Sequence, residues 1–141
     1  MRYILESGGM PISQIMVVDD EDDIRYLIGA ILKKAGHDVV TASSGEECLK
    51  ILKTERPDLI LLDVMMPGLD GFDTCAVIKS DEESRSIPVA MLTVKSGDED
   101  RLRSLEECAA DWHISKPVDR KKLVEIVDWL LKSPPRSFVR K

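Results

Sequence analysis

Five side chains able to handle phosphate or a metal ion stand just past short apolar runs. Asp19 and Asp20, with Glu21 next, follow "IMVV", and Asp63 follows "LILL". Thr93 follows "PVAML", and Lys116, then Pro117, follows "DWHIS". One such residue is routine, because strand ends favour helix caps, and Asp20 or Asp22 could be no more than the N-cap of the next helix. Together they describe a chemistry. If the strands before Asp19 and Asp63 are neighbours, three carboxylates converge, and two of them about 4 Å apart repel by ~4 kcal/mol at an effective dielectric of 20. Such a group must take up a proton or bind a cation. Ligands that are all oxygen suit a hard ion, and few carboxylates with retained waters suit Mg²⁺; no EF-hand spacing argues for Ca²⁺. A divalent ion beside the Thr93 hydroxyl and the Lys116 ammonium makes a receptor for a phosphoryl group. Asp63, alone on its strand, is then the carboxylate to be phosphorylated.

The elements that must position these residues alternate along the chain. Apolar runs cover Ile15–Val18, Asp38–Ala42, Leu59–Leu62, Pro88–Leu92 and Asp111–Ser115. The first, third and fourth are near-continuous, as in central strands covered on both faces. Between them Ile24, Leu27, Ile28, Ile31, Leu32 and Ala35 repeat at helical spacing, and Gly36 is placed to stop the helix. Ser44 and Glu47 form a capping box for a second helix, which must end before Pro57. A third helix is predicted from Phe72 to Lys79, and a fourth is lined by Leu102, Leu105 and Ala109. Asp119 can cap a fifth, burying Leu123, Val127, Leu130 and Leu131. Strand–helix alternation of this kind predicts an α/β protein, a parallel sheet with helices on both faces. In such sheets function sits beyond the carboxyl ends of the strands, where these five side chains are.

Composition narrows the function classes. The chain of 141 residues fits one domain with a real core, and its 43% hydrophobic and 33% charged content is that of a globular protein. A formal charge of −6 argues against a nucleic-acid binder. No apolar run is long enough for a membrane span or a secretory signal, so a cytoplasmic location is expected. Cys48, Cys75 and Cys108 show no CxxC and no zinc spacing to His37 or His113, and read as buried thiols. The expected organisation is a flexible leader over residues 1–13, one domain over 14–132, and a basic tail, "SPPRSFVRK", over 133–141.

"VVDDEDD", "LLDVMMPGLDG", "PVAMLTVKS" and "KP", in this order and spacing, make the chain resemble the receiver domain of two-component response regulators. The resemblance covers roughly Ile15 to Lys132. It implies a flavodoxin-like (βα)5 fold, doubly wound, with a five-stranded parallel sheet in the order 2-1-3-4-5. It makes Asp63 the phosphoacceptor, and it assigns Mg²⁺ to Asp19, Asp20, Asp63 and the backbone carbonyl of Met65. Thr93 matches the switch hydroxyl, and Lys116 matches the family's lysine, turned inward by a cis bond to Pro117. Asp70-Gly71 reads as a turn in which glycine tolerates positive φ, Phe72 as a core anchor, and Met66 as a packing residue. The implied partners are a sensor histidine kinase or a histidine phosphotransfer protein, and a downstream protein on the face of helix four, strand five and helix five. No nucleic-acid or membrane partner is expected, and the chain is expected to be a monomer or weak dimer.

Two departures stand out. His113 occupies a position where receivers commonly carry Tyr or Phe, either as a surface histidine or as a replacement switch sensitive to pH. Val94 replaces a small residue, and neither Met65 nor Lys95 can orient an attacking water, so a long-lived phosphorylated state is expected. Three other readings remain. A phosphorelay intermediate would return the phosphoryl group to a phosphotransfer protein. An aspartyl-phosphate hydrolase lacks the second Asp two residues after the nucleophile, where Met65 stands. A receiver fold kept for constitutive binding need not retain all five site residues. The chain is therefore expected to be no enzyme beyond catalysing its own phosphorylation and dephosphorylation.

Overall fold

The computed structural model describes residues 13–94 and 109–132. Five strands, β1 (Gln14–Val18), β2 (Asp38–Ala42), β3 (Leu59–Asp63), β4 (Val89–Val94) and β5 (Trp112–Lys116), form one parallel sheet in the order β2-β1-β3-β4-β5. Four helices are described: α1 (Asp22–Lys34), α2 (Gly45–Ile51), α3 (Gly71–Ser80) and α4 (Arg120–Lys132). The last is the helix predicted as the fifth. Leu102 and Leu105, predicted to line a fourth, lie outside the described residues, as do Lys95 and Cys108.

The doubly wound architecture follows from strands with no polar face. Every residue of β3 is buried; Ile60 and Leu62 join the core under α2 and α3, while Leu59 and Leu61 join the core under α1 and α4. Ile28, Ile31 and Leu32 supply the α1 side, and Leu123, Val127 and Leu130 the α4 side. Leu27 and Ala35, predicted on the α1 apolar face, are exposed: the buried stripe is narrower than the sequence pattern, and Ala35 already caps the helix. Gly36 stops α1 at φ +100°, backbone that favours glycine.

The strands run beyond the apolar runs. Asp63 and Lys116 are the last residues of β3 and β5, and Thr93 lies inside β4, because the parallel ladder extends past the last apolar side chain. At the other end, β4 and β5 begin at Val89 and Trp112, one residue after Pro88 and Asp111. Ser13, expected in the leader, accepts a backbone bond from Asp38 at 2.9 Å and so belongs to the sheet margin.

Local signals were mostly realised with altered partners. Ser44 accepts from the Glu47 N–H, but Glu47 returns its bond to Ser43, both N–H and hydroxyl, rather than to Ser44. Asp119 accepts from the Lys122 N–H at the start of α4. Neither Asp20 nor Asp22 is the cap of α1; Glu21 holds that position without a side-chain bond. Ala109, predicted on a helix, has φ +60° and leads into β5. Cys48 and Cys75 are buried and in no disulfide, and burial pushes the Cys48 thiol up to about 12.

Opposite the carboxyl edge of the sheet, Lys79 closes the end of α3. Its ammonium donates to the carbonyls of Arg85 and Ile87 and to Asp111 Oδ2 at 2.8 Å, and the same carboxylate oxygen accepts the Val89 N–H. One buried ion pair thus ties α3 to the starts of β4 and β5.

Candidate functional site

The central strands bring the expected carboxylates together. Asp19 leaves β1 and Asp63 ends β3, its neighbour, and one ligand atom each from Asp19, Asp20 and Asp63 lies within 4.8 Å of the others. Asp19 is completely buried, Asp63 is 4% exposed, and Asp20 opens to solvent. Lys116 reaches across from β5, with Nζ 3.1 Å from both Asp63 Oδ1 and Asp19 Oδ2. The Lys116–Pro117 bond is cis, as the resemblance implied.

Asp63 is held well above an ordinary carboxylate, at about 6. Burial is the main cause, and the charge of Asp19 adds to it; the bond and charge of Lys116 and the Met65 N–H pull the other way. Lys116 would be lowered by burial, but its bonds and attraction to Asp63 and Asp19 raise it overall. One ammonium is therefore shared by carboxylates that still carry excess negative charge.

The cluster fits a hard divalent cation. Asp19 Oδ2 is buried beside the other carboxylates, and its one close cation among the described residues is the Lys116 ammonium at 3.1 Å, which it shares with Asp63. Its other oxygen is committed to the Glu21 N–H at 2.9 Å. An all-oxygen donor set with one exposed member leaves room for water ligands.

The other expected residues take less symmetrical places. Thr93 is buried on β4, one residue beyond Leu92, the register partner of Asp63. The Met65 side chain is exposed while its N–H bonds the Asp63 carboxylate, so its peptide lies at the site. Met66 and Phe72 are core residues. His113 is half-buried on β5 and stacks on Trp112 at 5.9 Å between ring centres.

Two site residues escaped sequence reasoning. Arg25 sends Nη1 back to the Asp19 carbonyl at 2.7 Å and pairs with Asp22, fixing the acidic turn. Gly71 was expected as a turn glycine tolerant of positive φ, but the positive φ in this loop is at Gly68; at Gly71 an added Cβ would lie 2.2 Å from the Asp63 carbonyl oxygen. It is glycine because α3 starts against the backbone of Asp63, with its N–H on the Val64 carbonyl. No spacing in the sequence singled out Arg25, and none showed the contact at Gly71.

The family model of the response regulator receiver domain matches residues 15–128. The chain belongs to this family. As a receiver, it is 45% identical over 104 residues to the alkaline phosphatase synthesis transcriptional regulatory protein PhoP of Bacillus subtilis, covering 74% of this chain and 42% of that protein. It is 34% identical over 119 residues to protein PilH of Pseudomonas aeruginosa, covering 84% of this chain and 98% of PilH. The receiver thus spans less than half the length of the curated transcriptional regulators it matches, and nearly all of PilH. Among solved structures, the signal receiver domain of a signal transduction histidine kinase from Syntrophus aciditrophicus superposes with a TM-score of 0.79 at 37% identity, covering 84% of this chain and 89% of that one. The chemotaxis response regulator CheY4 of Vibrio cholerae gives 0.79 at 27% identity, over 84% and 98%. Among the described residues no helix is long and apolar enough to cross a membrane.

Proposed function

We propose that this receiver accepts a phosphoryl group on Asp63 from the phosphohistidine of a histidine kinase, in a Mg²⁺-dependent reaction, and thereby switches its binding to a downstream protein. The observation that carries the reading is the buried Asp19–Asp63 pair sharing a single lysine, with Asp20 completing a set of three carboxylates. At neutral pH, above its value of about 6, Asp63 is ionised and nucleophilic. Its oxygen attacks phosphorus, the bond to the donor nitrogen breaks, and the imidazole leaves with a proton from solvent. Lys116, already in contact with Asp63 Oδ1, neutralises charge on the arriving oxygens. Asp19, Asp20, Asp63 and the Met65 carbonyl would hold Mg²⁺, which supplies charge neutralisation at the phosphoryl oxygens when bound. The Thr93 hydroxyl is the group assigned to follow the new phosphoryl, with His113 as the coupled switch on β5.

On this reading the receiver catalyses only its own phosphorylation and dephosphorylation, in the cytoplasm. Its charge of −6 supports protein partners rather than nucleic acid for this span. A relay remains the second reading. Loading with acetyl phosphate and Mg²⁺, then adding a histidine phosphotransfer domain, separates them: retention of the phosphoryl group supports the switch, and rapid transfer supports the relay.

A further inference from the structure

The loop between Asp63 and α3 carries the Met65 peptide, whose N–H bonds the Asp63 carboxylate. Its two ends are fixed close to home. The Gly71 N–H donates to the Val64 carbonyl at 3.0 Å, and the Thr74 hydroxyl donates to the Asp70 carbonyl at 2.7 Å. Between them Met66 is buried, but Met65, Pro67 and Gly68 are exposed, and Gly68 turns the chain at φ +75°. Exposed backbone of this kind opens locally unless another element holds it.

That hold comes from α2. Glu46 Oε2 accepts the Leu69 N–H at 3.2 Å, across 23 residues of sequence. The start of the helix is pressed against the same loop. A Cβ on Gly45 would lie 2.7 Å from the Leu69 carbonyl oxygen and 2.1 Å from Thr74 Oγ1, and one on Gly68 would lie 3.1 Å from Glu46 Oε2. Glu47, one residue on, bonds Ser43 instead. The helix itself is anchored, with Cys48 buried and Leu49, Ile51 and Leu52 packed on the core under α2 and α3. A group carried on a packed element places its partner more sharply than one carried on a loop.

We infer that Glu46 is a positioning residue for the phosphoacceptor site: by holding the Leu69 N–H it keeps residues 64–70 in place, and with them the Met65 peptide against Asp63. It acts through the loop rather than on the phosphoryl group. The consequence for Mg²⁺ rests on the proposed function; the hold on the Met65 peptide does not.

Glu46→Ala removes the acceptor and the charge, whereas Glu46→Gln removes the charge and keeps an acceptor oxygen. Amide hydrogen exchange of the metal-free chain, resolved by residue with NMR, would be measured for both variants and the parent, with the buried β3 residue Leu61 reporting global unfolding. In Glu46→Ala the Leu69 amide should exchange faster than in the parent, and so should the Met65 amide, each by about three- to tenfold and with Leu61 unchanged. The Mg²⁺ dissociation constant from isothermal titration calorimetry should rise by about the same factor. Glu46→Gln should stay within about twofold of the parent in both measurements. Faster exchange at Leu69 alone, or a rise shared equally by Leu61, would overturn the inference. A Gln variant as perturbed as the Ala variant would overturn it too, by making lost charge the cause. If the parent bound no Mg²⁺, the proposed function would fail, and Met65 exchange would still decide the role of Glu46.

Discussion

Replacing Asp63 by Asn should stabilise the metal-free receiver at neutral pH, although it removes a partner of Lys116. The folded protein holds Asp63 at about 6, above an ordinary value of 3.8, chiefly through burial and the nearby Asp19. A raised carboxylate favours the fold when protonated. That contribution is fully present below about pH 4 and is lost as pH rises through about 6. A displacement of about two units corresponds to roughly 3 kcal/mol at pH 7.5. The attraction of Lys116 is already contained in that net value. Because Asp20 opens the cluster to solvent, screening reduces the expected effect to about 1–2 kcal/mol. An asparagine side chain keeps the shape without the charge, so the variant should gain this amount, or about 3–8 °C in Tm. Urea unfolding with chelator at pH 7.5 and 4.5 measures it. The gain should be present at pH 7.5, largely absent at pH 4.5, and offset by saturating Mg²⁺, which stabilises only the parent protein. An Asn variant no more stable than the parent at pH 7.5, or equally stabilised at both pH values, would refute the electrostatic reasoning.

Three further outcomes test separate parts of the structure. Lys79→Met should cost about 3 kcal/mol in urea unfolding, because it removes the ammonium 2.8 Å from the buried Asp111 carboxylate and its bonds to two backbone carbonyls. Gly71→Ala should cost about 1–3 kcal/mol, since the new methyl meets the Asp63 backbone, and it should slow phosphoryl uptake more than any change remote from the site. Once formed, the phosphorylated receiver should persist for minutes or longer in Mg²⁺; decay within seconds, followed by intact mass, would contradict the reading of Met65, Val94 and Lys95.

The sheet and the convergence at its carboxyl edge were legible because apolar runs ending in Asp, Thr or Lys carry their meaning locally. Asp19, Asp63 and Lys116 meet as the strand alternation and the family resemblance required. What stayed hidden depends on contacts between distant segments. Lys79 and Asp111 are 32 residues apart, and each alone reads as a solvated charge. Arg25 looks like one more surface residue until α1 is placed over the Asp19 carbonyl. Gly71 sits in a turn-rich stretch, where a glycine suggests backbone freedom, yet its reason is the 2.2 Å space beside Asp63. The shift of the Glu47 bond from Ser44 to Ser43 is of the same kind, a choice between adjacent donors that spacing does not make.

The most direct test of Asp63 as phosphoacceptor is intact mass after incubation with acetyl phosphate, with and without Mg²⁺, in the parent protein and in Asp63→Asn. One phosphoryl group should be gained, and only with both Mg²⁺ and Asp63 present. Phosphoryl uptake by the Asn variant, or no uptake by the parent protein in Mg²⁺ from acetyl phosphate and from a phosphorylated histidine kinase alike, would contradict it.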